Sequence, residues 1–80
     1  MKAKIYVTLK KGVLDPQGKA IHASLSHLGI SGVEDVRVGK YMELRLKHTE
    51  REEARRLLDE ACRRLLANTV IEDYRIELEG

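Results

Sequence analysis

The three histidines and the single cysteine are the side chains whose types could support nucleophilic or metal chemistry. His22 and His27 are five residues apart, so on a helix they point about 140° apart and cannot share a metal as an i, i+4 pair could. His48 is expected in a solvated loop. Cys62 falls in the apolar stripe of a helix, where a thiol packs as a small hydrophobe. Since no Ser/His/Asp set and no phosphate-binding glycine loop accompany them, we predict no catalytic residue and no metal ligand on this chain.

The length predicts a single domain over residues 1–80 with a thin core. A domain of this size buries only about 60% of its unfolded surface, and small domains compensate with disulfides, metals or oligomerisation. One cysteine excludes an internal disulfide, and three tyrosines are the only aromatic residues. Self-association is the remaining way to stabilise the fold, so we expect a dimer or a larger homo-oligomer.

The charge is dense but balanced, with 15 Lys and Arg against 13 Asp and Glu. This balance is typical of a solvated surface and disfavours a polyanion-binding one. An RNA-binding sheet would need aromatic residues on its central strands, and the middle of the chain supplies only Tyr41. No apolar run has the length of a membrane span. We therefore expect a cytoplasmic protein that binds neither nucleic acid nor membrane.

Alternation and capping signals predict the first elements. Residues 2–10 alternate strictly between apolar and polar, which indicates a strand with one buried face. Asp15 and Pro16 predict an N-cap and the first helical position, and Gly29 is suited to end that helix after Leu28. The residues expected to face inward from this helix are Ala20, Ile21, Leu25 and Leu28.

The second helix and the last strand follow from similar patterns. Thr49 and Glu52 form a capping box at the start of the helix. Residues 70–79 alternate again and predict the last strand. The apolar stripe of the helix is Ala54, Leu57, Leu58, Ala61, Cys62, Leu65 and Leu66.

Residues 33–47 allow two interpretations. One is a long strand kinked at Gly39; the other is a hairpin at Gly39 and Lys40, which would give the ferredoxin-like order β-α-β-β-α-β. The apolar parity persists across Gly39, so we favour the long strand. The predicted fold is then a two-layer α+β sandwich of order β-α-β-α-β, with two helices on one face of the sheet. A strand longer than its neighbours leaves an edge that a second subunit could pair with.

Two cations flank the glycine at this irregularity, Arg37 and Lys40. They fit either an ordinary solvated turn or an intersubunit contact that meets an acidic or phosphorylated partner.

Two segments, with shorter matches around them, resemble the PurS family, the small subunit of phosphoribosylformylglycinamidine synthase of purine biosynthesis. The resemblance covers the whole chain. The matching residues are Leu14-Asp15-Pro16-Gln17-Gly18-Lys19-Ala20, Leu28-Gly29, Val33, Val36-Arg37-Val38-Gly39-Lys40 and Glu43-Leu44.

The resemblance implies a non-catalytic adaptor of a glutamine-dependent, ATP-using carbon–nitrogen ligase. The adaptor would bring a glutaminase subunit and a large synthetase subunit together for the transfer of glutamine-derived ammonia. ATP, magnesium and glutamine would be used by those partners, with no cofactor on this chain, and isolated members form dimers or larger homo-oligomers. The residues carried over are Asp15, Pro16 and Gly18 as a structural motif, and Arg37, Gly39 and Lys40, with the adjacent Tyr41, as a subunit interface.

Other functions remain open at this point. A small-molecule regulatory module would need the ferredoxin-like hairpin and a ligand pocket at a dimer interface. A nucleic-acid binder would show salt-sensitive retention on a polyanion column. An acylphosphatase-like enzyme fits the size, but the chain lacks the glycine-rich anion loop that its chemistry needs.

Overall fold

A computed structural model describes residues 1–47 and 50–80, whose elements follow the order β-α-β-α-β. This confirms the α+β class and the element order predicted from the sequence. The predicted loop residue His48 and the predicted N-cap Thr49 lie outside the described residues. The elements are β1 (Lys2–Leu9), α1 (Pro16–His27), β2 (Gly39–Arg45), α2 (Arg51–Ala61) and β3 (Glu72–Glu79), and a π-helical turn (Cys62–Leu66) continues α2.

The strands form one antiparallel sheet in the order β2-β1-β3. In its register Ile5 lies between Met42 of β2 and Ile76 of β3. Ala3, Ile5 and Val7 of the central strand are fully or almost fully buried on the same face. The strict alternation of β1 therefore follows from its position, because one face packs on the core and the other does not.

One helix covers this core. Ala54, Leu58 and Cys62 of α2 and the π-helical turn are buried, and Leu58 and Cys62 pack on the inward residues of β1. On the β3 side the Tyr74 hydroxyl donates to Asp59 Oδ1. The chain thus has one helix layer over β1 and β3.

The predicted stripe is wrong at Leu65, which is 81% exposed. The reason is the π-helical turn, in which the Ala67 amide donates to the Cys62 carbonyl 3.0 Å away. A π-turn inserts an extra residue and shifts the phase of the helix, so the 3.6-residue period no longer holds there. The prediction is also wrong at Leu57, which lies before the turn and is 44% exposed.

The first helix does not lie on the sheet, contrary to the prediction of two helices on one face. Gly18 is the one buried residue of α1, and Ala20, Ile21 and Leu28, expected to face inward, are exposed. The radius of gyration is 16.1 Å, against about 12 Å expected for a compact chain of this length. We call residues 14–38 the α1 arm.

The arm makes the molecule elongated. The longest dimension of the molecule is 49 Å. The 8 residues of β1 and the 12 residues of α1, placed end to end, account for about 45 Å of that length. With Ile21 and Leu25 as its only large apolar residues, α1 has little apolar surface to draw it onto its own sheet.

The long kinked strand over residues 33–47 is also wrong, as is the hairpin. The strand begins only at Gly39, and Gly39 and Lys40 pair with Thr8 and Val7 of β1. Residues 33–38 instead return beside α1, where the Val33 carbonyl lies 2.7 Å from His22 Nε2. The reason is that contacts with α1 hold this segment away from the sheet.

Candidate functional site

Asp15 sits at the base of the arm and binds two segments of chain at once. Its Oδ1 accepts from the Gly18 amide at 2.8 Å and its Oδ2 accepts from the Val38 amide at 2.7 Å. The side chain is nearly buried, at 5% exposure, and Pro16 follows as the first residue of α1. The Val38 amide, followed by that of Gly18, lowers the pKa of Asp15 below its usual value, and the charge of Arg37 adds to the effect.

Gly18 allows the returning chain to approach α1 closely. A Cβ built on Gly18 would lie 2.1 Å from the Val36 carbonyl oxygen. That separation is shorter than any ordinary contact, so only glycine fits at this crossing. The Gly18 amide also donates to Asp15, which places two of the three residues of the structural motif in one contact.

Arg37 binds carbonyl groups of its own chain. Its Nη1 donates to the Val13 carbonyl at 2.8 Å and its Nη2 to the Lys10 carbonyl at 3.1 Å. The sequence left two alternatives for Arg37, a solvated turn or an intersubunit contact with an acidic or phosphorylated partner. Within residues 1–47 and 50–80 the fork binds the turn that precedes α1, and an interface role for Arg37 stays a prediction.

Gly39 and Lys40 lie on β2 rather than at the base of the arm. A Cβ on Gly39 would lie 2.5 Å from the Val7 carbonyl oxygen, so glycine is required where the chain joins the sheet. Lys40 Nζ lies 3.4 Å from the Leu66 carbonyl oxygen and 3.9 Å from Glu72 Oε2. It therefore links β2 to the end of the π-helical turn and the start of β3.

Tyr41 faces the opposite side of the sheet, which α2 leaves open. Its hydroxyl donates to Glu43 Oε2 at 2.6 Å, and this bond raises the pKa of Tyr41 to about 12. Its ring centroid lies 5.1 Å from that of Tyr6, and the Arg75 guanidinium carbon lies 4.2 Å from the Tyr6 centroid. Sequence reasoning missed Tyr6 and Arg75, because only the strand register shows that Tyr6 lies between Tyr41 and Arg75 across the sheet.

The predicted candidate site therefore divides into two places. Asp15, Pro16, Gly18 and Arg37 come together at the base of the arm. Gly39, Lys40 and Tyr41 extend from that base along β2, and the side chains of Lys40 and Tyr41 are directed to opposite faces of the sheet.

Of the described residues, His22, His27 and Cys62 do not form a common metal site. His22 contacts a backbone carbonyl, and the thiol of Cys62 is fully buried. Burial raises the pKa of Cys62 above its usual value, which disfavours the reactive thiolate. Across the described ranges, no three side chains of the metal-binding types come together, and no described helix is long and apolar enough to span a membrane.

The comparisons with known proteins agree over nearly the full length. The family model described as "PurS: Phosphoribosylformylglycinamidine (FGAM) synthase" matches residues 2–80. The chain belongs to the PurS family. It is therefore a subunit of phosphoribosylformylglycinamidine synthase, an enzyme of purine biosynthesis, which confirms the recognition made from the sequence.

Individual PurS proteins are similar in both sequence and fold. The PurS subunit of Bacillus subtilis is 53% identical over 78 residues, which cover 98% of this chain and 92% of that protein. Its crystal structure matches with a TM-score of 0.91, covering 99% of this chain and 98% of that one. A chain of the PurLQS structure from Thermotoga maritima is 32% identical with a TM-score of 0.86, covering 95% and 93%. The protruding arm is part of this match, because the alignments extend over nearly the whole chain.

Proposed function

We propose that this chain is a non-catalytic adaptor, which joins the glutaminase and synthetase subunits of phosphoribosylformylglycinamidine synthase so that glutamine-derived ammonia passes between them. The observation that carries this proposal is the α1 arm, an ordered extension with an uncovered apolar surface. A chain similar to this one belongs to the Thermotoga maritima PurLQS structure. This supports assembly with PurL and PurQ subunits, which we take to be the two catalytic partners.

The arm has the composition of a surface that another chain covers. Leu14 is 64% exposed and Leu28 is 74% exposed. Burying a leucine fully contributes about 1.5–3 kcal/mol, so covering even part of this surface contributes strongly to assembly. The other exposed large apolar residues of the arm are Ile21, Ile30 and Val33.

Self-association as a dimer or tetramer is part of the proposal. Met42, Leu44 and Leu46 lie on the α2 side of the sheet but are only half-buried. β2 is also an edge strand, and an edge strand presents unpaired backbone groups. A second copy whose arm lies over β2 would cover the half-buried residues of one chain and the exposed arm of the other.

The proposed division of labour leaves the chemistry to the partners. ATP, magnesium and glutamine are used on the synthetase and glutaminase subunits, and the cytoplasm is the expected compartment. The adaptor keeps the two catalytic subunits together, so that ammonia reaches the synthetase before it is lost to bulk water as ammonium.

Two reactions, each measured with and without this chain, test the proposal. Glutamine-dependent amidine formation by the cognate synthetase and glutaminase should require the chain. Ammonia-dependent amidine formation by the synthetase alone should not. If glutamine-dependent turnover is unchanged when the chain is omitted, the adaptor role is wrong. If both reactions depend on it, the chain acts on the synthetase itself and not on ammonia transfer.

A variant pair locates the contact on β2. Lys40→Ala combined with Tyr41→Ala should leave the isolated chain folded but reduce its co-elution with the two catalytic subunits. The matched control is Arg55→Ala with Arg56→Ala, which also changes two exposed side chains but lies within α2. If both variant pairs co-elute equally with the catalytic subunits, Lys40 and Tyr41 of β2 do not contribute to the interface.

A further inference from the structure

The chain crosses itself at the base of the arm. There the segment that leads into α1 meets the segment that returns from it. Four contacts join the two: the Asp15 carboxylate with the Val38 amide, the Arg37 fork with two carbonyls, and the close approach of Gly18 to Val36. The hydrogen bonds span 23 to 27 residues of sequence. The two Arg37 bonds connect the arm to the chain that enters it, the other two contacts join the two ends of the arm, and none of the four joins α1 to the face of the sheet.

The direction of the arm depends on this crossing. Gly18 is the single buried residue of α1, so packing against the sheet does little to orient the helix. The helix has 12 residues and is about 18 Å long, so a rotation of about 20° at its base would displace its tip by about 6 Å. A displacement of that size is larger than a specific interface tolerates.

We propose that Asp15 and Arg37 form a clamp that holds the α1 arm in one direction relative to the sheet. The two side chains lie on the two different segments that cross. Asp15 lies on the entering segment, just before α1, and accepts from the amide of Val38 on the returning segment. Arg37 lies on the returning segment and donates to two carbonyls of the entering segment. Because each segment binds the other, the α1 arm is held against rotation in either direction, which a single hydrogen bond would not achieve. Asp15 and Arg37 are positioning residues, since they act through the arm that they hold.

The clamp itself is argued from contacts within the chain, and only the reason for holding the arm in one direction rests on the proposed function. The clamp is tested on the isolated full chain. Failure of the adaptor assay and failure of the clamp are therefore distinguishable.

Amide hydrogen exchange measured by NMR is the first test. Asp15→Asn keeps the size of the side chain but replaces one acceptor oxygen by a donor, which then faces an amide donor. We expect the amide of Val38 or of Gly18 to exchange about tenfold faster, while the amides of Ile5 and Ile76 in the sheet stay within about threefold. Equal acceleration in the sheet would mean that Asp15 only stabilises the whole fold, and an unchanged pattern would mean that it holds nothing.

The second test measures the arm directly. Spin labels at Leu28→Cys and Glu79→Cys, both at exposed positions, report the distance between the arm tip and the sheet by pulsed EPR, in samples diluted with unlabelled chain. Adding Arg37→Ala should broaden or shift the distance distribution by about 6 Å. Arg64→Ala is the matched control, because it removes the same charge from the π-helical turn that continues α2, where its partner is Glu60 of α2. If Arg37→Ala and Arg64→Ala give the same distribution as the parent, the clamp is refuted.

Discussion

Substituting Gly18 by alanine sets two physical effects of opposite sign against each other. Gly18 lies in the first turn of α1, and alanine is more favourable than glycine in a helix by about 1 kcal/mol. Helix propensity alone therefore predicts that Gly18→Ala stabilises the arm. The new Cβ, however, would lie 2.1 Å from the Val36 carbonyl oxygen.

The steric effect is the larger one. An ordinary carbon–oxygen contact is about 3.3 Å, so the segment that contains Val36 would have to move by about 1.2 Å. Overpacking costs about 1–3 kcal/mol, and the upper value applies because the obstacle is backbone and not the end of a flexible side chain. After the gain in propensity is subtracted, we expect α1 to lose about 2 kcal/mol of stability.

Hydrogen exchange of the α1 amides measures this local stability. A loss of about 2 kcal/mol corresponds to exchange that is roughly 30-fold faster. Ala23→Gly, at an exposed position of the same helix, is the matched control, because it changes propensity by about 1 kcal/mol without a new contact. Slower exchange of the α1 amides in Gly18→Ala would refute the reasoning, since propensity would then outweigh the contact with Val36.

Three further predictions concern titration and packing. Because the pKa of Asp15 is lowered in the folded chain, its charge stabilises the fold above the unfolded pKa of about 3.9, and the benefit is lost as pH falls through the lower folded value. The difference in urea stability between the parent and Asp15→Asn should therefore shrink below about pH 4. Glu43→Gln removes the charged acceptor of the Tyr41 hydroxyl, so the pKa of Tyr41, followed by NMR, should fall from about 12 towards its usual value; no change would contradict the bond. Leu58→Ala, at a site 1% exposed, should cost about 2–5 kcal/mol in urea unfolding. Leu65→Ala, at a site 81% exposed, should change stability by less than about 0.5 kcal/mol, and equal losses would contradict the π-helical phase shift.

The features that the sequence predicted correctly depend on local signals. The alternation of β1 was sufficient because a central strand buries one face along its length, as Ala3, Ile5 and Val7 show. The start of α1 was also predictable, since Asp15 caps it through the amide three residues away.

The features that it predicted wrongly depend on contacts distant in sequence. Residues 33–38 have the parity of a strand, but parity does not specify what the strand pairs with. The Arg37 fork and the Asp15 carboxylate hold this segment at the base of the arm, across 23 to 27 residues of sequence. Likewise, an apolar residue such as Leu28 indicates only that some surface covers it, and not whether that surface belongs to the same chain.

An adaptor gains from an arm that is both uncovered and held in place. Association costs free energy for every side chain and segment that becomes ordered on binding. An arm that is ordered before binding avoids much of that cost, whereas a flexible one would lose part of the free energy gained from burying Leu14 and Leu28. The crossing at Asp15 and Arg37 supplies this order without covering the apolar surface. Because α1 does not pack on its own sheet, its apolar surface stays available for other chains, as the proposed adaptor role requires.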